Sequence, residues 1–301
     1  MTDPVSSPRI VSIASDSLSA EIALHGAELQ RVRDGDGRDL LWDGDPKFWT
    51  GRAPILFPVI GCVAKGKVRI DGTAYPMPKH GFARHKSFTL VEQDRGSVTL
   101  RLEDDAETRA SYPFAFRLDI RFAVEGTALS LAATLMNPNQ HPLPASFGFH
   151  PALCWPLPGG GARADHRVLF DEAESAPIRR IDDAGLVRPA PEPSPVEGRL
   201  LVLRDALFAD DALIFDRHAS RGLVYGAPGG TALRVDFPNM PQLGIWTKPG
   251  AGFLCIEPWQ GIADPEGFAG ELRDKPASIE VAPGTSHCFA MRIALESDAF
   301  G

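Results

Sequence analysis

Two stretches of the chain carry a titratable side chain to the end of an apolar run and follow it with proline. "FLCIEPW" (253–259) delivers Glu257, and "SFGFHP" (146–151) delivers His150. Side chains of an extended segment alternate between faces. Phe253, Cys255 and Glu257 therefore share one face, with Leu254 and Ile256 on the other. Ser146, Gly148 and His150 likewise share a face opposite Phe147 and Phe149. A carboxylate so placed is either a solvated strand-end glutamate or the wall of a partly buried pocket, where desolvation raises its pKa toward that of a usable base. His150 is either a core imidazole held by a backbone carbonyl or a group exchanging protons near neutral pH. Because proline has no ladder N–H, each proline is expected to end its strand at the titratable residue.

A third stretch, "PKHGFARHKSF" (78–88), reads as a strand with His80, Phe82 and Arg84 on one face and Gly81, Ala83 and His85 on the other. An imidazole, a ring and a cation in line suit a hydroxyl-rich ligand; they equally suit an edge strand facing water. Other chemistries have little support. HExxH and CxxC are absent, and His80 and His85 lie on opposite faces, so no metal is expected. Glycine-rich phosphate loops and a GxSxG elbow are missing as well.

The elements that must position these groups are strands. "RIVSIASDSLSAEIAL" reads as two strands around a polar turn, and "KVRIDGTAYPM" as a hairpin turning at Asp71-Gly72. In "FRLDIRFAV", Phe116, Leu118, Ile120 and Phe122 point one way while Arg117, Asp119 and Arg121 point the other, giving one wet face. Helical signals are confined to turns near Pro46–Trp49 and Leu203–Phe208. Residues 157–199 are rich in proline, glycine and charge and read as long excursions from a sheet. With no internal repeat, the pattern predicts an all-β protein, a large antiparallel β-sandwich. Residues 1–9 are expected to be a flexible N-terminus and 10–301 a single domain.

The composition is that of a globular protein, 44% hydrophobic and 23% charged. A net charge of −8 without basic, aromatic-laced patches argues against a nucleic-acid partner. Cys62, Cys154, Cys255 and Cys288 are widely spaced among apolar residues and are expected to be reduced thiols. No leader-like N-terminus and no apolar run of ~20 residues is visible. A cytoplasmic protein without a membrane partner, monomeric or homodimeric, is the expectation.

Taken in order, "PILFPVIG" (54–61), "HGFAR" (80–84), "SFGFHP" (146–151), "DFPNMPQLGIWTKPG" (236–250) and "FLCIEPWQGIAD" (253–264) resemble the aldose 1-epimerase (galactose mutarotase-like) superfamily, and within it the LacX-like bacterial branch. The resemblance implies a galactose mutarotase-like β-supersandwich with a small-molecule sugar in an open cleft. It implies interconversion of α- and β-anomers without a cofactor. Glu257 matches the base that takes the O1 proton, and His150 the acid that protonates O5, an acid and a base on opposite edges of the hexose. His80 and Arg84 match sugar-contacting positions. Asp211, or its neighbour Asp210, matches a hydroxyl-binding aspartate, and Arg52 an arginine near the sugar. Trp246 and Phe149 are implied pocket walls. Relatives often carry a basic residue where this chain has Cys62, which puts the choice of sugar in question. Two alternatives stay open. One is epimerisation of hexose 6-phosphates, for which Arg52, Lys65, Lys79, Arg84 and Lys86 are candidate cations. The other is a carbohydrate-binding or sensing protein without turnover.

Overall fold

The structure, a computed structural model, describes residues 9–296 and 300. The expected flexible arm therefore lies, but for Arg9, outside the described residues. Strands dominate, and among the described residues the one α-helix is the four-residue Ala106–Arg109 turn. Nine antiparallel strands form the larger sheet, in the spatial order Leu200–Val202, Arg167–Phe170, Gly222–Gly226, Ala232–Asp236, Ser286–Glu296, Ala128–Met136, Arg117–Glu125, Ser97–Glu103 and Thr89–Gln93. A second antiparallel sheet orders Leu213–Phe215, Gln242–Trp246, Phe253–Gln260, Phe147–Phe149 and Ile55–Leu56, with Ala152–Cys154 also pairing to Phe253–Gln260. It is called the cleft sheet below. The strands Ile10–Ala14, Leu18–Ala23 and Glu28–Asp34 make a separate sheet.

Period-2 alternation decides what each face meets. In Arg117–Glu125, Leu118, Ile120 and Phe122 are fully buried while their neighbours reach solvent, where Arg101 grips Asp119 through two hydrogen bonds of 2.7 and 2.8 Å. In the cleft sheet, Phe147, Phe149, Leu254 and Ile256 face the main core. There Phe147 stacks on Phe289 of the larger sheet at 4.7 Å between ring centroids. The two sheets thus close one apolar core between them. The opposite face of the cleft sheet carries His150, Glu257, Trp246 and Trp259.

Three sequence expectations need correction. Residues 78–88 are not a strand. His80 and Gly81 both adopt left-handed backbone, at φ 65° and 71°, and Ala83–His85 is a 3-10 turn. A side chain on Gly81 would collide with the Phe57 carbonyl, so this sharp turn accepts only glycine. Pro258 does not end its strand, which runs on to Gln260. The Ile256 N–H points to the Pro151 carbonyl, and by alternation Pro258 faces the same side, at the break between Phe147–Phe149 and Ala152–Cys154, where no ladder bond is needed. Finally, the 157–199 stretch contains Arg167–Phe170, a strand of the larger sheet.

One buried ion pair ties three remote segments together. Lys275, fully enclosed, places Nζ 2.5 Å from Asp264 Oδ1, while Asp264 Oδ2 accepts the Ala64 N–H at 2.8 Å. The Asp264 N–H donates to the Cys62 carbonyl, and the Val187 N–H donates to the Asp264 carbonyl. Removing one partner strands the other charge. Lys275→Met is therefore expected to lower stability by about 3–5 kcal/mol in urea denaturation; an unchanged midpoint would contradict this reading of the clamp.

Candidate active site

The outer face of the cleft sheet forms the floor of a cleft of about 240 Å³. Glu257 stands near the middle of Phe253–Gln260, and His150 occupies the break between the two short strands beside it. The Nε2 of His150 lies 3.2 Å from Glu257 Oε2. Exposure of only 2% removes the solvated strand-end alternative for Glu257, and His150 is buried beside it at 7%. His150 Nδ1 and the Oε2 of Glu257 are buried without a hydrogen-bond partner. Acid and imidazole thus sit side by side, rather than facing each other across a ligand.

Burial dominates the electrostatics. It pushes the Glu257 carboxyl well above its ordinary 4.5; the Asp211 charge adds to this, while Lys79 and the Trp259 indole oppose it. The same desolvation holds the His150 imidazole down to about 3, and the Lys79 and Arg84 charges push in the same direction. The free pair therefore favours two neutral groups, a carboxylic acid and an imidazole, with one transferable proton between them.

Aromatic rings enclose this pair. Trp49 lies 5.0 Å from the His150 ring and Trp246 5.9 Å, and the two indoles meet at right angles. Trp259 lies flat on the sheet, and two glycines make room for it. A Cβ on Gly244, the residue paired with Glu257, would come within 2.5 Å of its ring, and one on Gly148 within 2.6 Å. The apolar strip of Ile60, Ala212, Ile214 and Ala263 completes this side.

Polar groups line the remainder. The Gly61 N–H donates to His80 Nδ1 at 3.1 Å, and the His80 N–H donates back to the Gly61 carbonyl at 2.8 Å. Burial, with the neighbouring His150, Lys79 and Arg84, depresses the His80 pKa well below 6.5. A neutral ring that accepts at Nδ1 carries its hydrogen on Nε2, so His80 is a fixed donor. Arg84 and Asp211 also line the cleft. Arg84 gives its Nε–H to His85, and Asp211 is presented from a left-handed turn at φ 66°.

Of the residues singled out from the sequence, the structure brings together Glu257, His150, His80, Arg84, Asp211 and Trp246. Arg52 and Phe149 lie elsewhere. The Arg52 guanidinium donates to the Gln30 carbonyl at 2.6 Å, and Phe149 is enclosed in the main core because its strand alternates away from the cleft. Asp210 and Cys62 face an adjoining groove instead of this cleft. Lys79, singled out from the sequence only as a candidate phosphate cation, also lines the cleft, as do Trp49 and Trp259, which the sequence did not single out. Trp259 was accessible to a sequence reading, standing two residues beyond Glu257 on the same face of one strand. Nothing local marks Ile181 and Gly185, which reach the cleft from the 157–199 excursion.

Comparison with known proteins agrees with this architecture. The family model described as aldose 1-epimerase matches residues 9–280. The chain is 31% identical over 288 residues to Protein LacX, chromosomal, of Lactococcus lactis subsp. lactis, covering 91% of this chain and 95% of that protein. Among solved structures, a galactose mutarotase-like protein from Lactobacillus casei ATCC 334 superposes with a TM-score of 0.89 at 27% identity, covering 96% of this chain and 100% of that one. A galactose mutarotase related enzyme from Lactobacillus acidophilus superposes with a TM-score of 0.88 at 26% identity, covering 97% and 99%. The fold is accordingly a galactose mutarotase-like all-β sandwich, and the chain belongs to the aldose 1-epimerase family.

Proposed function

We propose that this protein is an aldose 1-epimerase that interconverts the α- and β-anomers of a free aldose by general acid–base ring opening. The observation that carries this reading is the buried His150–Glu257 pair at 3.2 Å on the floor of a tryptophan-lined cleft. The two oxygens that exchange protons in mutarotation, O1 and O5, are both bonded to C1. Their partners must therefore be near neighbours, and His150 and Glu257 are.

In the proposed sequence, Glu257 as carboxylate takes the O1 proton and O1 becomes a carbonyl oxygen. The C1–O5 bond breaks, and O5 takes a proton from imidazolium His150. The C1–C2 bond turns, and closure on the other face of the carbonyl reverses both transfers. The pair holds one proton throughout. With the ring closed it is carboxylate and imidazolium; with the ring open it is carboxylic acid and imidazole. Burial stabilises the neutral form, so the cleft favours the state reached by opening the ring. His80, Arg84 and Asp211 supply donors and acceptors for the remaining hydroxyls, and the tryptophans supply apolar surface for the sugar's C–H faces.

The arrangement of cations favours a free sugar over a 6-phosphate. Of the five candidates, Lys79 and Arg84 line the cleft, in the company of Asp211. Lys86 is paired with Asp105 and Glu107, Arg52 is turned to Gln30, and Lys65 lines other grooves. A phosphate dianion calls for converging cations without an adjacent carboxylate.

Anomer exchange measured by NMR on glucose, galactose and glucose 6-phosphate tests the reading. Acceleration above the uncatalysed rate is expected for a free sugar, and Glu257→Gln or His150→Asn should each reduce it by about 10²–10⁴-fold. Folded variants that keep the wild-type rate would overturn the assignment.

The pH dependence gives a second test. Activity falls on the acid side only when the pair takes up a second proton. With His150 held at about 3 and Glu257 raised, that limb lies well below the ordinary imidazole value of 6.5. No acid limb is therefore expected near pH 6.5; an acid limb centred there would contradict it.

Stability has its own sign. Glu257 is raised above its unfolded value of 4.5, so its contribution is intact below pH 4.5 and is lost as pH rises through the folded pKa. Thermal melts of Glu257→Gln should therefore gain on wild type as pH rises from 4.5. A gain that shrinks with rising pH would exclude this cause.

A further inference from the structure

Beside the cleft lies a second groove, of about 380 Å³, and Lys79, Ile181, Gly185 and Asp211 line both. Resting on the epimerase reading, we propose that this groove is a subsite for a second sugar unit and that the preferred substrate is a reducing oligosaccharide rather than a single hexose or its phosphate.

The groove is held in shape by the fold rather than left between loose loops. One wall is the turn after Asp182, whose Oδ1 accepts the N–H groups of Ala184 and Leu186 at 2.9 and 2.8 Å. The other wall is the turn that presents Asp210 and Asp211. Arg180, itself buried, pins that turn by donating to the carbonyls of Leu207, Asp211 and Ala212 at 3.0–3.2 Å. Beneath them the Cys62, Asp264 and Val187 backbones are hydrogen-bonded in series, and the Asp264–Lys275 pair locks the centre of that series. Both walls are therefore fixed without a ligand, which lowers the ordering cost of binding.

The lining chemistry names the occupant. Lys79 and Arg188 offer donors, Asp183, Asp210 and Asp211 offer acceptors, and the half-buried Cys62 thiol lies among them. Carboxylates outnumber cations, which disfavours a phosphate. Mixed donors and acceptors suit hydroxyls, since each hydroxyl both gives and accepts a hydrogen bond. Three tryptophans line the cleft proper; the groove has no aromatic lining and is suited to hold a following unit by its hydroxyls. Cys62 belongs to the groove. Its thiol lies there and not in the cleft that holds Glu257 and His150.

The experiment is anomer exchange on glucose and galactose beside maltose, cellobiose, isomaltose and melibiose, for wild type, Arg188→Ala and Asp183→Ala. Both substitutions are in the groove, away from the cleft lining. The expected result is a higher kcat/KM for at least one disaccharide than for either hexose. That preference should fall by about tenfold in one or both variants, as for the loss of a hydrogen bond to a charged group, with the hexose rates within about twofold of wild type. Hexoses turned over with no disaccharide preferred would overturn the subsite and leave the epimerase reading standing. So would disaccharide rates that ignore both substitutions. Failure to turn over any sugar would overturn both.

Discussion

The proposed function depends on holding an acid and an imidazole together, nearly dry, with one proton between them. Two such groups cost free energy to bury, and each resists the charged form it adopts in the proposed reaction. Glu257 and His150 tolerate it because they share the cost. Neutral together or ionised together, the pair has the same net charge and the same proton count. What the protein controls is the balance between these two forms. Enclosure by Trp49, Trp246 and Trp259 sets that balance toward the neutral one.

The scaffold serves this pair through its two faces. The cleft sheet gives one face to the main core, anchored by contacts such as Phe147 on Phe289, and that anchoring makes the other face rigid enough to carry a site. The break at His150-Pro151 admits the imidazole to the middle of the sheet. Pro258 sits opposite that break, where its missing N–H costs nothing. Gly148 and Gly244 give up side chains so that the Trp259 ring can lie beside the carboxylate. Small residues, a proline and an interrupted strand are conflicts with strand propensity, and they cluster where chemistry is expected to occur.

Much of this was legible in the sequence because period 2 is a strong signal in an antiparallel sheet. It separated Phe147 and Phe149 from His150, and Leu254 and Ile256 from Glu257, and the structure places each on the face it indicated. The same rule exposes why Phe149 is no pocket wall, and it marks Trp259 as a neighbour of Glu257. Alternation fails where the backbone leaves the extended region. His80 and Gly81 turn left-handed, so a strand reading of "HGFAR" reached the cleft residues His80 and Arg84 by the wrong geometry. Arg52 was misplaced for another reason: a long side chain goes to whichever acceptor is near, here the Gln30 carbonyl, and that choice is invisible before folding. The contribution of Ile181 and Gly185 rests on pairing across more than seventy residues, as in the bond from Val187 to Asp264.

The most direct test of this account is a ¹⁵N NMR titration of the His150 imidazole in the unliganded protein, assigned by comparison with His150→Asn. The account predicts a neutral ring from pH 8 to below 6.5, with protonation only toward about 3. An imidazole that titrates at its ordinary 6.5, or that is already charged at neutral pH in the free protein, would contradict the claim that burial keeps the pair neutral until a sugar arrives.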